Sequence, residues 1–386
     1  MMNVSEKIRY VGVDDLDIDL FESQYVVPEG ISYNSYVILD EKTAVMDTVD
    51  ARKTDEWINN VKAVLGGKNL DYIVCQHMEP DHAGSMMKAL EVFPTAKVVG
   101  NAKTFAYMAQ FFDVNLDGRK VEVKDGESLS LGNHNLTFVF APMVHWPEVM
   151  VSYESSEKVL FAADGFGKFG AISKYDGDWA CEARRYYFNI CGKYGVQVQA
   201  LLKKAASLDI KTIAPLHGPV LKENLGYYID LYNTWSSYGV ESEGVLVAYA
   251  SIHGNTKRAA EKIASILEKE GAKKVVVSDL SRDDEAEVIE DAFRYGRMVI
   301  AAPTYDGGLF PPMESFLSHL KSKNYQKRTV GIIENGTWAP VSGKFMREKL
   351  EAMKDIKICD TVVTIKSALK AGQEASLVAL AKEVLA

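Results

Sequence analysis

The stretch that most constrains this chain is Cys75-Gln76-His77-Met78-Glu79-Pro80-Asp81-His82-Ala83-Gly84-Ser85. An apolar run, Tyr72-Ile73-Val74-Cys75, leads into it and reads as a buried strand; a helix from Ser85 to about Val92 follows. Pro80 argues against a helix through the stretch itself. A loop is expected, one that fans its side chains out where a helix would stack only those three or four apart. Two imidazoles and two carboxylates within six positions, His77, Glu79, Asp81 and His82, are too dense for an ordinary polar surface loop. Carboxylates gathered so closely repel one another unless something positive sits between them. A pair of metal ions is the natural candidate.

At 386 residues the chain has room for two or three domains. A formal net charge of −9 disfavours nonspecific binding to nucleic acid or to anionic membranes. No signal peptide is visible, and no apolar run approaches the roughly 18 residues of a spanning helix, so a cytoplasmic protein is expected. The four cysteines, Cys75, Cys181, Cys191 and Cys359, form no CxxC pair. They read as small buried hydrophobes and not as iron–sulfur ligands.

The first part of the chain is rich in short strands with helices interspersed. Expected strands include Ile8 to Val13, a hairpin of Ser35 to Leu39 and Thr43 to Met46, then Asp71 to Gln76, Lys97 to Gly100, Val121 to Val123 and Leu136 to Phe140. Helices are expected over Thr54 to Val64 and Ala102 to Phe112. A strand pair, Val149 to Tyr153 and Val159 to Ala162, precedes a helical region from Glu182 to Ala206 that is interrupted near Cys191 to Gly195. Thr212 to Pro215 is a last strand. A layered α/β sandwich fits this order better than a doubly wound sheet.

Further candidate ligands stand at strand ends: His145 in Ala141-Pro142-Met143-Val144-His145-Trp146-Pro147, Asp164 before Gly165, and His217 in Leu216-His217-Gly218-Pro219. Loops at strand ends converge on one edge of a packed sheet, which is how residues distant in sequence meet. Seven ligands exceed what one tetrahedral ion takes and suit two ions sharing a bridging carboxylate. Nitrogen and oxygen donors with several carboxylates favour iron, manganese or zinc, and ligand type alone does not separate them. His134 and His319 lack such company and read as ordinary surface or boundary residues.

The character changes near Gly239 to Gly244, which places a domain boundary between residues 243 and 244. From Val245 strands and helices alternate regularly to the end, 386 − 244 + 1 = 143 residues, as in an open parallel sheet covered on both faces. Its first strand runs into Ser251-Ile252-His253-Gly254-Asn255-Thr256, and a helix follows. Small and hydroxyl residues at such a turn let backbone N–H groups and the helix N-terminus hold a phosphate. The pattern is neither GxGxxG nor GxxxxGK[ST], so a mononucleotide fits best. Two more strand-end loops, Pro303-Thr304-Tyr305-Asp306-Gly307 and Asn335-Gly336-Thr337-Trp338-Ala339, each join a flexible backbone to an aromatic ring. Tyr305 and Trp338 are placed to flank an isoalloxazine.

With both halves in view, the chain resembles the flavodiiron proteins, which join a metallo-β-lactamase-like αβ/βα sandwich to a flavodoxin-like domain. His77-x-Glu79-x-Asp81-His82 is the pattern of that family, with a carboxylate where the hydrolases of the superfamily carry a second histidine. The resemblance implies FMN and two non-haem irons per chain. It assigns His77, Glu79 and His145 to the iron nearer the flavin and Asp81, His82 and His217 to the farther one, with Asp164 bridging. It implies roles near the substrate for Tyr25 and Tyr194. It further implies a head-to-tail homodimer or dimer of dimers, and an external electron donor such as rubredoxin or a reduced deazaflavin, since no rubredoxin or flavin reductase segment follows Ala386.

The electron count suits this pairing: a flavin stores two electrons and a diferrous pair two more. Four reduce dioxygen to water; two reduce a pair of nitric oxide molecules to nitrous oxide. The rival enzyme is a binuclear zinc hydrolase with a fused flavodoxin-like module, against which Glu79 and the flavin loops argue. The rival non-enzyme is a flavin electron carrier on a redundant scaffold, which should have lost metal ligands.

Overall fold

A computed structural model describes residues 4–174 and 177–386. Two compact units emerge, one of Met1–Tyr187 with Val196–Asn233, the other of Phe188–Gly195 with Thr234–Ala386.

The first unit is built on two sheets. One is ordered Ile8–Tyr10, Tyr36–Ile38, Ala44–Met46, Tyr72–Val74, Lys97–Gly100, Lys120–Glu122, antiparallel over its first three strands and parallel thereafter. The other runs Ser128–Ser130, Asn135–Phe140, Met150–Glu154, Val159–Phe161, Thr212–Ala214, with only the last pair parallel. Tyr36, Met46 and Val74 of the first sheet share a buried cluster with Phe138, Met150 and Phe161 of the second, so the sheets pack through their apolar faces. Helix Thr54–Leu65 buries Trp57, Ile58, Val61 and Leu65, a stripe at helical spacing, and ends at Gly66 in the left-handed conformation.

Two expectations need correcting here. The stretch Ile8 to Val13 is not one strand: Ile8–Tyr10 pairs with Tyr36–Ile38, whereas Val13–Asp15 pairs with Ile31–Tyr33 in a separate two-stranded sheet. The ligand stretch contains a turn of helix, Pro80–Ala83, despite its proline. Pro80 sits at the first helical position, where its missing N–H would have no intrahelical partner anyway.

The second unit carries a parallel sheet ordered Val275–Asp279, Ser242–Tyr249, Tyr295–Tyr305, Arg328–Asn335, Ile356–Ile365. Helices Asn255–Lys269 and Glu374–Leu385 pack Ile263, Leu267, Leu377 and Leu380 into one core cluster with Val247, Val299 and Val363 of the strands. Because the strand order reverses beside Ser242–Tyr249, a crevice opens at the carboxyl ends of the strands there. No helix among the described residues is long and apolar enough to cross a membrane.

Candidate functional site

All four stretches proposed to carry ligands meet at one end of the two-sheet sandwich. His77, Glu79, Asp81 and His82 follow strand Tyr72–Val74; His145, Asp164 and His217 follow Asn135–Phe140, Val159–Phe161 and Thr212–Ala214 of the other sheet. The donor atoms fall into two groups, His77, Glu79, His145 and Asp164 in one and Asp81, His82 and His217 in the other.

In the first group Glu79 Oε2 lies 3.2 Å from His77 Nε2 and 2.9 Å from His145 Nε2, and the two imidazole nitrogens are 3.4 Å apart. In the second, Asp81 Oδ2 is 3.2 Å from both His82 Nε2 and His217 Nε2. Donors bound about 2.1 Å from one first-row ion at about 90–110° are separated by about 3.0–3.4 Å, the spacing seen in both groups. Asp164 is shared. Its Oδ2 is 3.3 Å from His77 Nε2 and from His145 Nε2, while its Oδ1 is 3.2 Å from His82 Nε2 and 3.7 Å from His217 Nε2.

The polar atoms turned inward want a cation. Both oxygens of Asp81, both of Asp164, and the Nε2 atoms of His82 and His217 are buried without a hydrogen-bond partner among the described residues. Such groups are costly unless something charged satisfies them. Electrostatics show the same tension. Burial pulls the His77 and His145 imidazoles down, but the surrounding carboxylates outweigh it and raise both, His145 to about 9. Burial also pushes at Asp164, yet His77 and His82 hold its carboxyl well below the ordinary range. Asp81 has weaker compensation, and burial pushes it up to about 7. His217 lies below its usual value because burial dominates. Divalent ions would relieve all of these at once, so the donor set fits a two-metal centre.

Supporting residues that sequence reasoning missed fix this arrangement. Glu148, fully buried, accepts from His77 Nδ1 at 2.8 Å and from the Met78 N–H at 2.9 Å. It thereby leaves His77 Nε2 as the metal-facing atom. His217 Nδ1 donates to the Ser32 carbonyl at 2.8 Å with the same result. Asp47 accepts from the Gln76 N–H at 2.7 Å, from Gln76 Nε2 at 2.9 Å and from the His77 N–H at 3.3 Å, anchoring the start of the ligand stretch. Burial pushes Asp47 up to about 6, opposed by His82 and the Gln76 amides. Asp47, Met143, Ala163 and Phe166 all hold positive φ, 54°, 66°, 48° and 65°, strained backbone beside the ligand loops. Trp146 lays its ring edge-on to His77 with centroids 5.3 Å apart.

Of the two tyrosines, Tyr25 is buried on strand Tyr25–Val26, its ring 5.9 Å from Phe169; the paired Phe21 stands 5.4 Å from the His217 ring. Tyr194 lies in the short helix Gly192–Tyr194, which belongs to the second compact unit. His134, read as an ordinary surface or boundary residue, is 6% exposed, with Nδ1 2.8 Å from Asp40 Oδ2 and Nε2 3.3 Å from Glu157. Its carboxylate partners make burial tolerable. His319 is exposed as expected and pairs with Glu285.

In the second unit the three strand-end loops line a single cavity of about 720 Å³. Every residue singled out on them borders it except Gly254, and Val341 and Ser367 join the lining. Gly254 turns the chain into helix Asn255–Lys269 at a φ of 80°, a conformation costly for other residues. The loops are tied together: Thr304 Oγ1 accepts from the Val341 and Ser342 N–H groups, and Asn335 Nδ2 reaches Thr256 Oγ1 at 3.3 Å. Hydroxyls, a helix N-terminus and two exposed aromatic rings suit a flavin mononucleotide.

Residues 31–218 match the model of the ODP family beta lactamases, and residues 246–363 that of a flavodoxin domain. A nitric oxide reductase of Moorella thermoacetica is 30% identical over 373 residues, 94% of this chain and 92% of that protein. The structure of the rubredoxin oxygen:oxidoreductase of Desulfovibrio gigas superposes with a TM-score of 0.92 at 26% identity, over 99% of this chain and 97% of that one. The chain belongs to the flavodiiron proteins. The flavodiiron protein of Giardia intestinalis shares the fold, with a TM-score of 0.92 at 24% identity over 99% of this chain and 96% of that one. Two clustered sets of metal ligands and a flavodoxin-like domain support a diiron-type centre and a flavin.

Proposed function

We propose that this flavodiiron protein reduces dioxygen to water, nitric oxide to nitrous oxide, or both, at two irons supplied with electrons through FMN. The observation that carries the reading is the division of Asp164, one oxygen turned to each ligand group. A carboxylate shared in this way would hold two ions close enough to act on one small molecule. When bound, the flavin supplies and relays electrons and the irons bind and reduce the gas. The protein's own part is to orient and to shield. Glu148 and the Ser32 carbonyl fix the His77 and His217 rings, Asp47 anchors the ligand stretch, and Trp146 covers it. The first group is the more open, with the Glu79 and His145 side chains 15% and 9% exposed, so exchangeable positions are expected there. Ser251 to Thr256 would hold the FMN phosphate, with Tyr305 and Trp338 against the ring system.

The names of the relatives support the substrates: oxygen for the Desulfovibrio gigas protein, nitric oxide for that of Moorella thermoacetica. An external donor follows, rubredoxin or a reduced deazaflavin, and the setting is the cytoplasm. A head-to-tail homodimer or dimer of dimers belongs to the same reading. So do roles for Tyr25 and Tyr194 as donors to the bound gas.

The test is anaerobic stopped flow of the reduced, metal-quantified protein against dioxygen and nitric oxide separately. Two irons and one FMN per chain with rapid reoxidation are expected, and the faster gas identifies the working substrate. Zinc in place of iron with hydrolytic turnover, or flavin reoxidation that releases peroxide while iron stays idle, would sink the proposal.

A further inference from the structure

The first unit holds a second cavity, of about 260 Å³, with no metal ligand in its wall. Its floor is Val144, Ala162, Gly165 and Phe166, all buried. Its sides are Leu201 and Ala205 of helix Gly195–Ala205 and Leu225 and Ile229 of helix Leu225–Ser236, half-buried at the mouth. The floor is continuous with the metal centre through the chain itself. Val144 is joined to His145, and Gly165 and Phe166 follow Asp164 directly. Two of the seven ligands are therefore one peptide bond from the wall of this apolar space, one of them the shared carboxylate.

The lining says what would enter. Its one polar side-chain atom, Tyr232 Oη, already accepts from the Phe166 N–H, and the Tyr232 and Phe166 rings stack 4.2 Å apart. A water needs about two to four polar partners, and apolar cavities of about 150 Å³ stay dry yet take up xenon. An ion or a polar solute would lose its hydration here for nothing. A small neutral molecule loses little hydration and gains dispersion contacts.

We propose that this cavity is a binding and entry site for the neutral diatomic gas, concentrating it behind His145 and Asp164 while the Glu79 side of the centre stays wet. The identity of the gas rests on the function proposed above; the affinity of the cavity for a small apolar solute does not. Ala205→Trp would fill the mouth from one side, and Ala206→Phe, at an exposed position of the same lining, serves if the first variant fails to fold.

Crystals of the holoprotein pressurised with xenon should show xenon between Val144, Phe166 and Ile229, and none in Ala205→Trp. In stopped flow the filled variant should lose about tenfold in the second-order reoxidation rate with gas. Its iron content and the rate of flavin reduction by dithionite should be unchanged. Absence of xenon from the wild-type cavity would overturn the proposal even if both gases are reduced rapidly. So would a filled cavity that leaves the gas rates untouched. Xenon uptake by a protein that reduces neither gas would instead remove the assigned occupant and the function together, leaving an apolar cavity of no catalytic use.

Discussion

The two ligand groups are built to different standards. Around His77, Glu79 and His145 the donors crowd within 2.9–3.4 Å of one another, and a buried carboxylate, Glu148, stands behind His77. Around Asp81, His82 and His217 the support is thinner. His217 leans on a neutral carbonyl, and the outer nitrogen of His82, Nδ1, is buried with no hydrogen-bond partner among the described residues. A backing carboxylate fixes ring orientation and makes an imidazole a stronger donor. The first group is thus organised before any ion arrives, whereas the second depends on its ion for order. The two irons should differ in affinity and in how easily each is lost.

Removing what the groups share should have the largest effect. Asp164→Ala is expected to empty both positions and to lower gas turnover at least about a thousandfold, as read by metal analysis alongside stopped flow. Next, His82→Asn should cost the second group its ion while the first stays filled, leaving about one iron per chain after gel filtration. Equal loss from both positions would break the comparison. Glu148→Gln tests the other side. It should weaken iron at the first group about 10–100-fold in chelator competition, with the second group unaffected.

The smallest effect comes from a control pair outside the centre, the buried Asp40–His134 contact, which has the carboxylate and the imidazole but no neighbouring ligands. Burial opposes the charged forms of both, and the hydrogen bonds between them prevail, raising His134 and lowering Asp40. The raised histidine contributes stability that is full below about pH 6.5, its unfolded value, and is lost as pH rises through the folded value. The lowered aspartate contributes above about pH 3.9 and loses its contribution as pH falls toward its folded value. Asp40→Asn should therefore destabilise by about 1 kcal/mol near pH 5–6 and by less at pH 9. Urea unfolding of variant and wild type at matched pH checks it.

What could be read from the sequence divides along the same line. His77, Glu79, Asp81 and His82 announce themselves because ligand chemistry is packed into six positions, and His145, Asp164 and His217 because each follows a short apolar run. Glu148 announces nothing. Between Pro147 and Val149 it looks like a surface glutamate at the start of a strand, and its partner lies 71 residues away. Asp47, 29 and 30 residues from the amides it accepts, is hidden for the same reason. The partner of His134 was hidden likewise, since Asp40 is 94 residues distant. The order of alternating strands and helices in the second half was legible, since helical and strand periods are local properties. The two-sheet half was harder: its strands are mostly three residues long, and the break between Tyr10 and Val13 is decided by which sheet each segment joins.

Because the donors come from both sheets, two bound ions would act as rivets through the sandwich, closing loops that join residues as far apart as His77 and His217. Ions that bind the folded chain and not the unfolded one shift the folding equilibrium. Above the dissociation constant, each tenfold rise in free iron adds about 1.4 kcal/mol per site. Availability of iron would then set the lifetime of the protein as well as its activity. In a starved cell the unfilled chains, with their buried carboxylates unpaired, would be the first to open and be degraded, so that the amount of the protein follows the metal supply without a dedicated regulator.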